Sequence, residues 1–363
     1  MSKQNALAQL AGYKRVIDDD IAAFAAHTRT HTAEHFGTYV LEAEVEVFLD
    51  ILSRGGKRIR GALVLAGYEM CGGGAINGAV LQAARAIEML HAYILMVDDI
   101  QDRSALRRGK PSAHQMLAAY HRTHKLKGDA DHAGMSLALG AAVSGAHAAQ
   151  VILATLAANP RRKLKVLEIV NRTMIVTAHG QTLDIMNELV PRPTEKDIEQ
   201  VLEWKTARYT IINPLQVGMV LAGANSRTID AITPFGLHIG KAFQIVDDIL
   251  GIFGDQQALG KIPGDDIREG KGTLLVQYAL QHSSPADNAF LQRCLGNAKL
   301  TSKEFLRCQH IIETSGAMAY AQKIATQQLD KALVALDQVK DIYNRQGIDF
   351  LKGMAHALHN RIA

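Results

Sequence analysis

The chain has 363 residues, and its 40 Lys plus Arg against 36 Asp plus Glu leave a net charge of +4, too balanced for a general nucleic-acid coat. Hydrophobic residues make up 48% and charged residues 21%, enough apolar content to bury a large core and too much for a disordered chain. Only 5% is aromatic and only 8 residues are Pro, while Ala and Leu recur throughout, so the composition reads as helices and excludes an all-β fold.

The opening stretch MSKQNALAQLAGYKRVIDDD becomes charged before a long apolar core can form, so no secretory signal is expected and the mature chain is expected to start near Met1. Cys71, Cys294 and Cys308 form no CxxC pair and read as reduced thiols of a cytosolic protein. After the Gly72-Gly73-Gly74 turn, apolar spacing predicts a helix over 79–101. The segment 117–135 is polar in its later part and reads as a surface loop between two helices. Its His121, His124 and His132 are metal-ligand types, but a solvated loop is the simpler reading.

Residues 133–160 carry no Asp, Glu, Lys or Arg and are long enough to cross a bilayer. They are built from Ala, Gly and Ser with His147, Gln150 and Asn159 inside, which weakens transfer into lipid. A helix apolar all round is equally expected at the centre of a bundle, so no membrane span is expected. A second uncharged run, 209–226, is broken by Asn213 and Pro214. Further helices are predicted over 163–189, before Pro191 and Pro193, then over 194–210 with an acidic first turn, 236–253 and 317–343. No linker or repeat divides the chain, so a single all-helical domain over 1–363 is the simplest account.

Asp98, Asp99 and Asp102 close the apolar run AIEMLHAYILMVDDIQD, and the i, i+4 spacing puts Asp98 and Asp102 on one helix face. Like charges so placed repel unless a cation lies between them, and oxygen ligands of this kind suit Mg²⁺, which keeps waters and takes phosphate oxygens too. Taken alone, the motif fits a solvated helix end equally well. Asp247 and Asp248 repeat the arrangement after KAFQIVDDILGIFGD, and two such pairs point to a metal cage.

Basic residues come in three groups beside glycine: Lys57, Arg58 and Arg60 in SRGGKRIRG; Arg103, Arg107, Arg108 and Lys110 in DRSALRRGKPS; Lys261, Arg268 and Lys271 in GKIPGDDIREGKGT. A glycine lets Arg or Lys donors and backbone N–H groups approach a phosphate without a Cβ in the way, and the planar Arg fork suits two phosphate oxygens. Each group alone reads as a solvated basic patch. Together with the carboxylates they specify a diphosphate.

In these motifs the sequence resembles the trans-isoprenyl diphosphate synthases of the polyprenyl synthetase family, from Gly55 to about Thr273. GGKRIR, EMLHAYILMVDDIQD, RRGKPS, GQTLD at Gly180 to Asp184, KTARY at Lys205 to Tyr209 and FQIVDD at Phe243 to Asp248 are similar to family elements in the family's order. The resemblance implies an all-α bundle around a deep central cavity, a cytoplasmic homodimer, and facing aspartate motifs that bind three Mg²⁺ ions. It further implies condensation of isopentenyl diphosphate with an allylic diphosphate through a carbocation, with released pyrophosphate as the proton acceptor.

Residue by residue, the resemblance assigns Asp98, Asp102 and Asp247 as metal ligands, with Asp99 and Asp248 as supporting or water-mediated ligands. Arg107, Lys205 and Lys261 match the allylic diphosphate clamp; Lys57, Arg60, His91 and Arg108 match the isopentenyl diphosphate pocket; Lys271 closes over the loaded site. Thr206 and Gln244 match positions near the developing cation. Gln181 and Asp184 are site-adjacent or a buried polar brace, with Lys205 as the partner a buried carboxylate needs, and Asp265 and Asp266 shape the Lys271 turn.

Two features depart from the family pattern. The second motif has Gly251 where DDxxD has its third aspartate, with Asp255 one turn beyond, so Gly251→Asp is expected to change turnover only modestly. Ala142-Val143 stands where many members have Gly-Asp. The first motif has two residues between its pair and Asp102, which favours a geranylgeranyl diphosphate product with farnesyl diphosphate the near alternative. Tyr93, five residues before Asp98, matches the aromatic floor of short-chain members, with Ile94 nearer the aspartate face. A non-catalytic regulatory subunit would fit the missing aspartate but would not need the clamp cations, and a terpene cyclase would leave Lys57 and Arg60 idle.

Overall fold

A computed structural model describes residues 3–190, 193–254 and 264–359, and these are helical apart from one two-stranded ribbon. Their contacts gather into two compact units.

One unit comprises Ala8–Glu168 with Val217–Gly223. It holds most of α1 (Lys3–His35), α2 (Glu46–Ser53), α3 (Ile59–Met70), α4 (Gly78–Gln101), the ribbon β1 (Leu106–Arg107) and β2 (Lys110–Pro111), α5 (Ala113–Thr123) and α6 (Ala130–Thr155). Helix α4 starts where the Asn77 side chain accepts the Ala79 and Val80 N–H groups at 3.0 and 3.2 Å, and ends as Asp102 N–H donates to the Asp98 carbonyl at 2.8 Å. Between these ends Val80, Ala83, Ala84, Ile87, Met89, Leu90 and Met96 are buried, and α4 packs on α3 and α6.

Helix α6 contains most of the predicted uncharged run. Its Ala138, Ala141, Ala142, Gly145, Ala149 and Leu153 are buried, and the Phe48 ring fills the space a Cβ on Gly145 would need. The opposite face leaves Met135, Leu139, Val143 and Val151 exposed, each on the four-residue rise of one stripe. Helices α4 and α6 are long and apolar enough to cross a bilayer, with 56% and 33% of their most apolar windows buried. Ala142-Val143 is thereby explained: Ala142 packs inward and Val143 belongs to the exposed stripe.

The polar loop expected over 117–135 is much shorter. Helix α5 runs on to Thr123 and α6 begins at Ala130, capped by Asp129, whose carboxylate accepts the Asp131 and His132 N–H groups at 2.8 and 2.9 Å. His121 is buried against the Lys127 carbonyl at 3.0 Å and His124 turns back on Tyr120 O at 2.9 Å. Among the described residues no three His, Cys, Asp or Glu side chains gather as a metal site would require.

The other unit takes Ile169–Gln216 and the described residues of Ala224–Ala363, with the first few residues of the chain. Its helices are α7 (Pro160–Leu189, in part), α8 (Glu195–Val201), a π-helical stretch Leu202–Ile212, α9 (Asn213–Ala222, in part), α10 (Ser226–Ala231), α11 (Thr233–Phe253), α12 (Asp265–Glu269), α13 (Leu274–His282), α14 (Pro285–Cys294), α15 (Ser302–Thr314), α16 (Ala317–Gln338) and α17 (Arg345–His359). The core joins Ile245, Val246 and Ile249 of α11 to Leu275, Leu291, Ile312, Ala321 and Ala325. All three cysteines are free, Cys294 and Cys308 within this core or at its edge.

The predicted helix 194–210 is real but changes character. Thr194 and Asp197 form a reciprocal capping box, and the run widens into the π stretch just before Pro214. Pro214, which has no N–H to donate, sits at the start of the next helical segment, where a missing donor costs least. The last predicted helix ends at Gln338 rather than at 343; Tyr343 lies beyond it and donates its hydroxyl to Thr228 O at 2.6 Å.

Two glycines bring the π stretch close to its neighbours. A Cβ on Gly180 of α7 would collide with the Trp204–Lys205 backbone, 2.7 Å from the Trp204 carbonyl carbon, and one on Gly240 of α11 would lie 2.5 Å from Ala207. One helical turn beyond each contact stand Asp184 and Gln244. We expect Gly240→Ala to lower stability by about 1–3 kcal/mol through overpacking, although alanine is the better helix former. Gly12→Ala, at an exposed α1 position with open space around it, should raise stability by about 0.5–1 kcal/mol. Thermal denaturation of the two variants should show shifts of opposite sign.

Candidate active site

The first acidic group occupies the end of α4. Asp98 and Asp102 are half-buried, while Asp99 is fully buried. Immediately afterwards the ribbon returns the chain: Leu106 pairs with Pro111 and Arg107 with Lys110, leaving Arg108 and Gly109 as a two-residue turn with φ of 56° and 73°. Two positive φ values make this the primed turn that suits a right-twisted hairpin. Arg108 bears roughly 1–2 kcal/mol of left-handed strain for its place there.

That turn separates two arginines by function. Arg107 is buried and donates Nε to Asp99 Oδ1 at 2.8 Å, with Nη2 on the same oxygen and 3.4 Å from Asp98 Oδ2. Burial opposes its charge, but Asp99, Asp98 and Asp102 overcome that and hold the guanidinium firmly protonated. The Asp99 carboxylate, expected as a supporting metal ligand, is thus engaged in holding Arg107. Arg108 instead donates to the Gly55 carbonyl and lies across Gly56, where a Cβ would stand 2.8 Å from Nη2. The glycine expected to admit a phosphate here admits a guanidinium.

Arg54 Nη1 also donates to the Arg107 carbonyl at 3.1 Å, joining the ribbon to the GGKRIR element. Lys57 is exposed, and Arg60 lies half-buried in the first turn of α3. Arg58, by contrast, is buried at φ 49° between Asp18 at 2.7 Å and Glu88 at 3.4 Å, so it is a structural ion-pair residue. His91 on α4 is held well below its ordinary pKa, first by burial and then by the charges of Arg60, Arg108, Arg107 and Arg58. Arg108 is itself pushed down by burial and by Arg58, Arg107 and Arg60. These guanidiniums repel one another, a repulsion that a bound anion would relieve. Tyr93 and Ile94 lie half-buried about one helical turn before Asp98.

The second acidic group closes α11. Thr206 Oγ1 donates to Gln244 Oε1 at 2.9 Å, and Gln244 Nε2 donates to Asp248 Oδ1 at 2.8 Å, one chain from the π stretch to the aspartate pair. Burial pushes the Asp248 carboxyl well above the usual range; the Asp266, Asp247 and Asp184 charges add to this, and the Gln244 hydrogen bond opposes it. Lys205 donates to Asp184 at 2.6 Å, the partner expected for it. Lys271 donates to Glu188 at 2.7 Å and stands 3.5 Å from Asp184. Glu188 was not singled out from the sequence, although its i+4 spacing from Asp184 marks it. Gln181 lies on the same helix, and Lys261 and Asp255 fall outside the described residues.

These donors fit a hard divalent cation. They are carboxylate oxygens, those around Asp248 repel one another, and no three converge closely enough among the described residues to hold an ion unaided. Mg²⁺ suits such a set because it completes its shell with water and phosphate oxygens. Because the Asp248 carboxyl is raised in the folded state, its contribution to stability is present below the unfolded pKa of about 4 and is lost as pH rises through the folded value. In EDTA, Asp248→Asn should therefore gain melting temperature relative to wild type as pH is raised from about 4 towards 8. A difference that stays constant with pH would contradict the buried, crowded carboxylate.

The polyprenyl synthetase family model matches residues 43–312. The chain is 31% identical over 310 residues to a geranylgeranyl diphosphate synthase of Saccharolobus solfataricus, covering 85% of this chain and 88% of the relative. It is also 31% identical over 316 residues to an octaprenyl diphosphate synthase of Escherichia coli, covering 84% and 86%. Its fold superposes on the crystal structure of a geranylgeranyl pyrophosphate synthase from Corynebacterium glutamicum complexed with isoprenyl diphosphate and magnesium, with a TM-score of 0.90, 31% identity and coverage of 96% and 98%. Ordered motifs, an all-helical fold and matches along most of the chain agree: this chain belongs to the polyprenyl synthetase family.

Proposed function

We propose that the protein is a Mg²⁺-dependent short-chain trans-prenyltransferase that condenses isopentenyl diphosphate with allylic diphosphates to geranylgeranyl diphosphate. What supports this reading is the gathering of the Arg60, Arg107 and Arg108 charges about His91, on the same helix that ends in Asp98 and Asp102, with Arg107 held by Asp99. Asp98, Asp102 and Asp247 would hold three Mg²⁺ ions, which when bound supply positive charge for the departing pyrophosphate. Asp248 supports Asp247, and Asp99 orients Arg107. Arg107, Lys205 and Lys261 hold the allylic diphosphate, with Lys271 closing beside them.

Lys57, Arg60, His91 and Arg108 hold isopentenyl diphosphate, the neutral imidazole serving as a hydrogen-bonding group in a pocket already rich in charge. Thr206 Oγ1 and Gln244 Oε1 present oxygen dipoles to the developing carbocation, and pyrophosphate takes the proton lost from the new bond. We read residues 1–363 as a single prenyl diphosphate synthase domain. The exposed Met135, Leu139, Val143 and Val151 stripe on α6 suits a second copy of the chain, and we read the enzyme as a homodimer. Its three free cysteines suit a reducing compartment, the cytoplasm.

Purified protein incubated with isopentenyl diphosphate, each allylic primer and Mg²⁺ should yield twenty-carbon product. A farnesyl product would select the near alternative, and folded protein giving no product with any primer would favour a regulatory subunit. Asp98→Ala and Asp247→Ala should each lower turnover by two or more orders of magnitude with little change in melting temperature, because each removes a ligand used as the diphosphate leaves. Near-normal turnover of either at limiting Mg²⁺ would refute its assignment.

Product length is set by where the growing chain is blocked, and we read Tyr93 as the ring that blocks it. Tyr93→Ala should shift products to longer chains while reducing turnover less than the aspartate variants. Its stability cost should fall below the ~3–5 kcal/mol of a fully buried ring, since Tyr93 is half-buried. Unchanged product length would move the floor to Ile94 or another helix.

A further inference from the structure

The family's second motif ends in an aspartate where this chain has Gly251, yet the space above Gly251 is taken by a carboxylate. A Cβ built on Gly251 would collide with Asp266 Oδ2 and lie 3.2 Å from the Asp266 carboxyl carbon and 3.7 Å from Oδ1. Asp266 belongs to α12, which follows α11 in the chain, so its side chain reaches back over the last turn of α11. We propose that Asp266 supplies the third carboxylate of the second acidic group, delivered from α12 onto the bare backbone of Gly251 in place of an aspartate at 251.

Three further observations fit this. The start of α12 is pinned to the same residue, for Gly264, at φ 86°, donates its N–H to the Gly251 carbonyl at 3.4 Å. The Asp266 carbonyl accepts the Gly270 and Lys271 N–H groups at 3.1 and 2.9 Å, so the turn that carries the carboxylate also positions Lys271. The neighbouring Asp265 is instead paired with Arg268 at 3.1 Å, which leaves Asp266 as the member of the GDD triplet turned to α11.

The consequence is that Gly251 is a requirement rather than a defect. Any side chain there turns the Asp266 carboxylate away, and an aspartate adds a charge to an already crowded group as well. On this proposal Gly251→Asp, which the sequence alone leads one to expect to change turnover only modestly, should lose metal affinity.

The inference rests on the reading of Asp247 and Asp248 as metal-site residues, and the test separates the two. Mn²⁺ affinity of the full-length protein is measured by electron paramagnetic resonance with inorganic pyrophosphate present, beside melting temperature and the Mg²⁺ dependence of turnover. Asp266→Asn and Gly251→Ala should each weaken Mn²⁺ binding by about tenfold or more while melting temperature changes little. The double variant Gly251→Asp/Asp266→Ala, which moves the carboxylate onto α11, should recover most of that loss. Wild type that binds no Mn²⁺ with pyrophosphate would defeat the metal-site reading itself. Wild type that binds, with Asp266→Asn binding equally well or with no recovery in the double variant, would overturn the assignment of Asp266 alone.

Discussion

Carboxylates gathered at the ends of two apolar helices repel one another, and other elements bring cations onto the first gathering and beside the second. Arg107 reaches Asp99 and Asp98 from the ribbon that follows α4. Lys205 and Lys271 meet Asp184 and Glu188 on α7, beside the Asp247–Asp248 pair. A buried charge without such a partner would cost several kcal/mol, so the positions of the ribbon, the π stretch and α12 follow from this demand. The balance is deliberately incomplete: Asp248 remains crowded by Asp266, Asp247 and Asp184, and the arginines around His91 remain crowded by one another. One surplus suits divalent cations and the other suits phosphate.

Backbone geometry delivers these groups, and small residues make the geometry possible. Gly180 and Gly240 let the π stretch lie against α7 and α11, and one turn along each helix the close approach brings Asp184 to Lys205 and Gln244 to Thr206. Gly56 lets Arg108 lie against the backbone, and a left-handed arginine in the primed turn aims it there. Strain and missing side chains thus concentrate where the chemistry is, as expected when a site is held by a scaffold that over-determines it.

The acidic and basic groups were legible before the fold because each is local. An aspartate pair after an apolar helix, or an arginine beside glycine, is a pattern within a few residues, and so are the helices that carry them. Boundaries were less legible: polar residues from 117 to 135 read as loop, yet Arg122 and Thr123 lie on the exposed face of α5 and Asp131 and His132 on that of α6. The π stretch was hidden because its wider turn lies in the backbone hydrogen bonding, which apolar periodicity alone does not show.

The sequence by itself therefore determined the helical class, the two acidic groups, the basic clusters beside glycine and the family they resemble. Tertiary structure alone decided which of those charges meet. It pairs Asp99 with Arg107, Arg58 with Glu88, and Lys271 with Glu188, and it lays Asp266 over Gly251. The physical reason is that attraction and exclusion act through space: partners 83 residues apart, as Lys271 and Glu188 are, leave no periodic trace in the chain that would name one for the other.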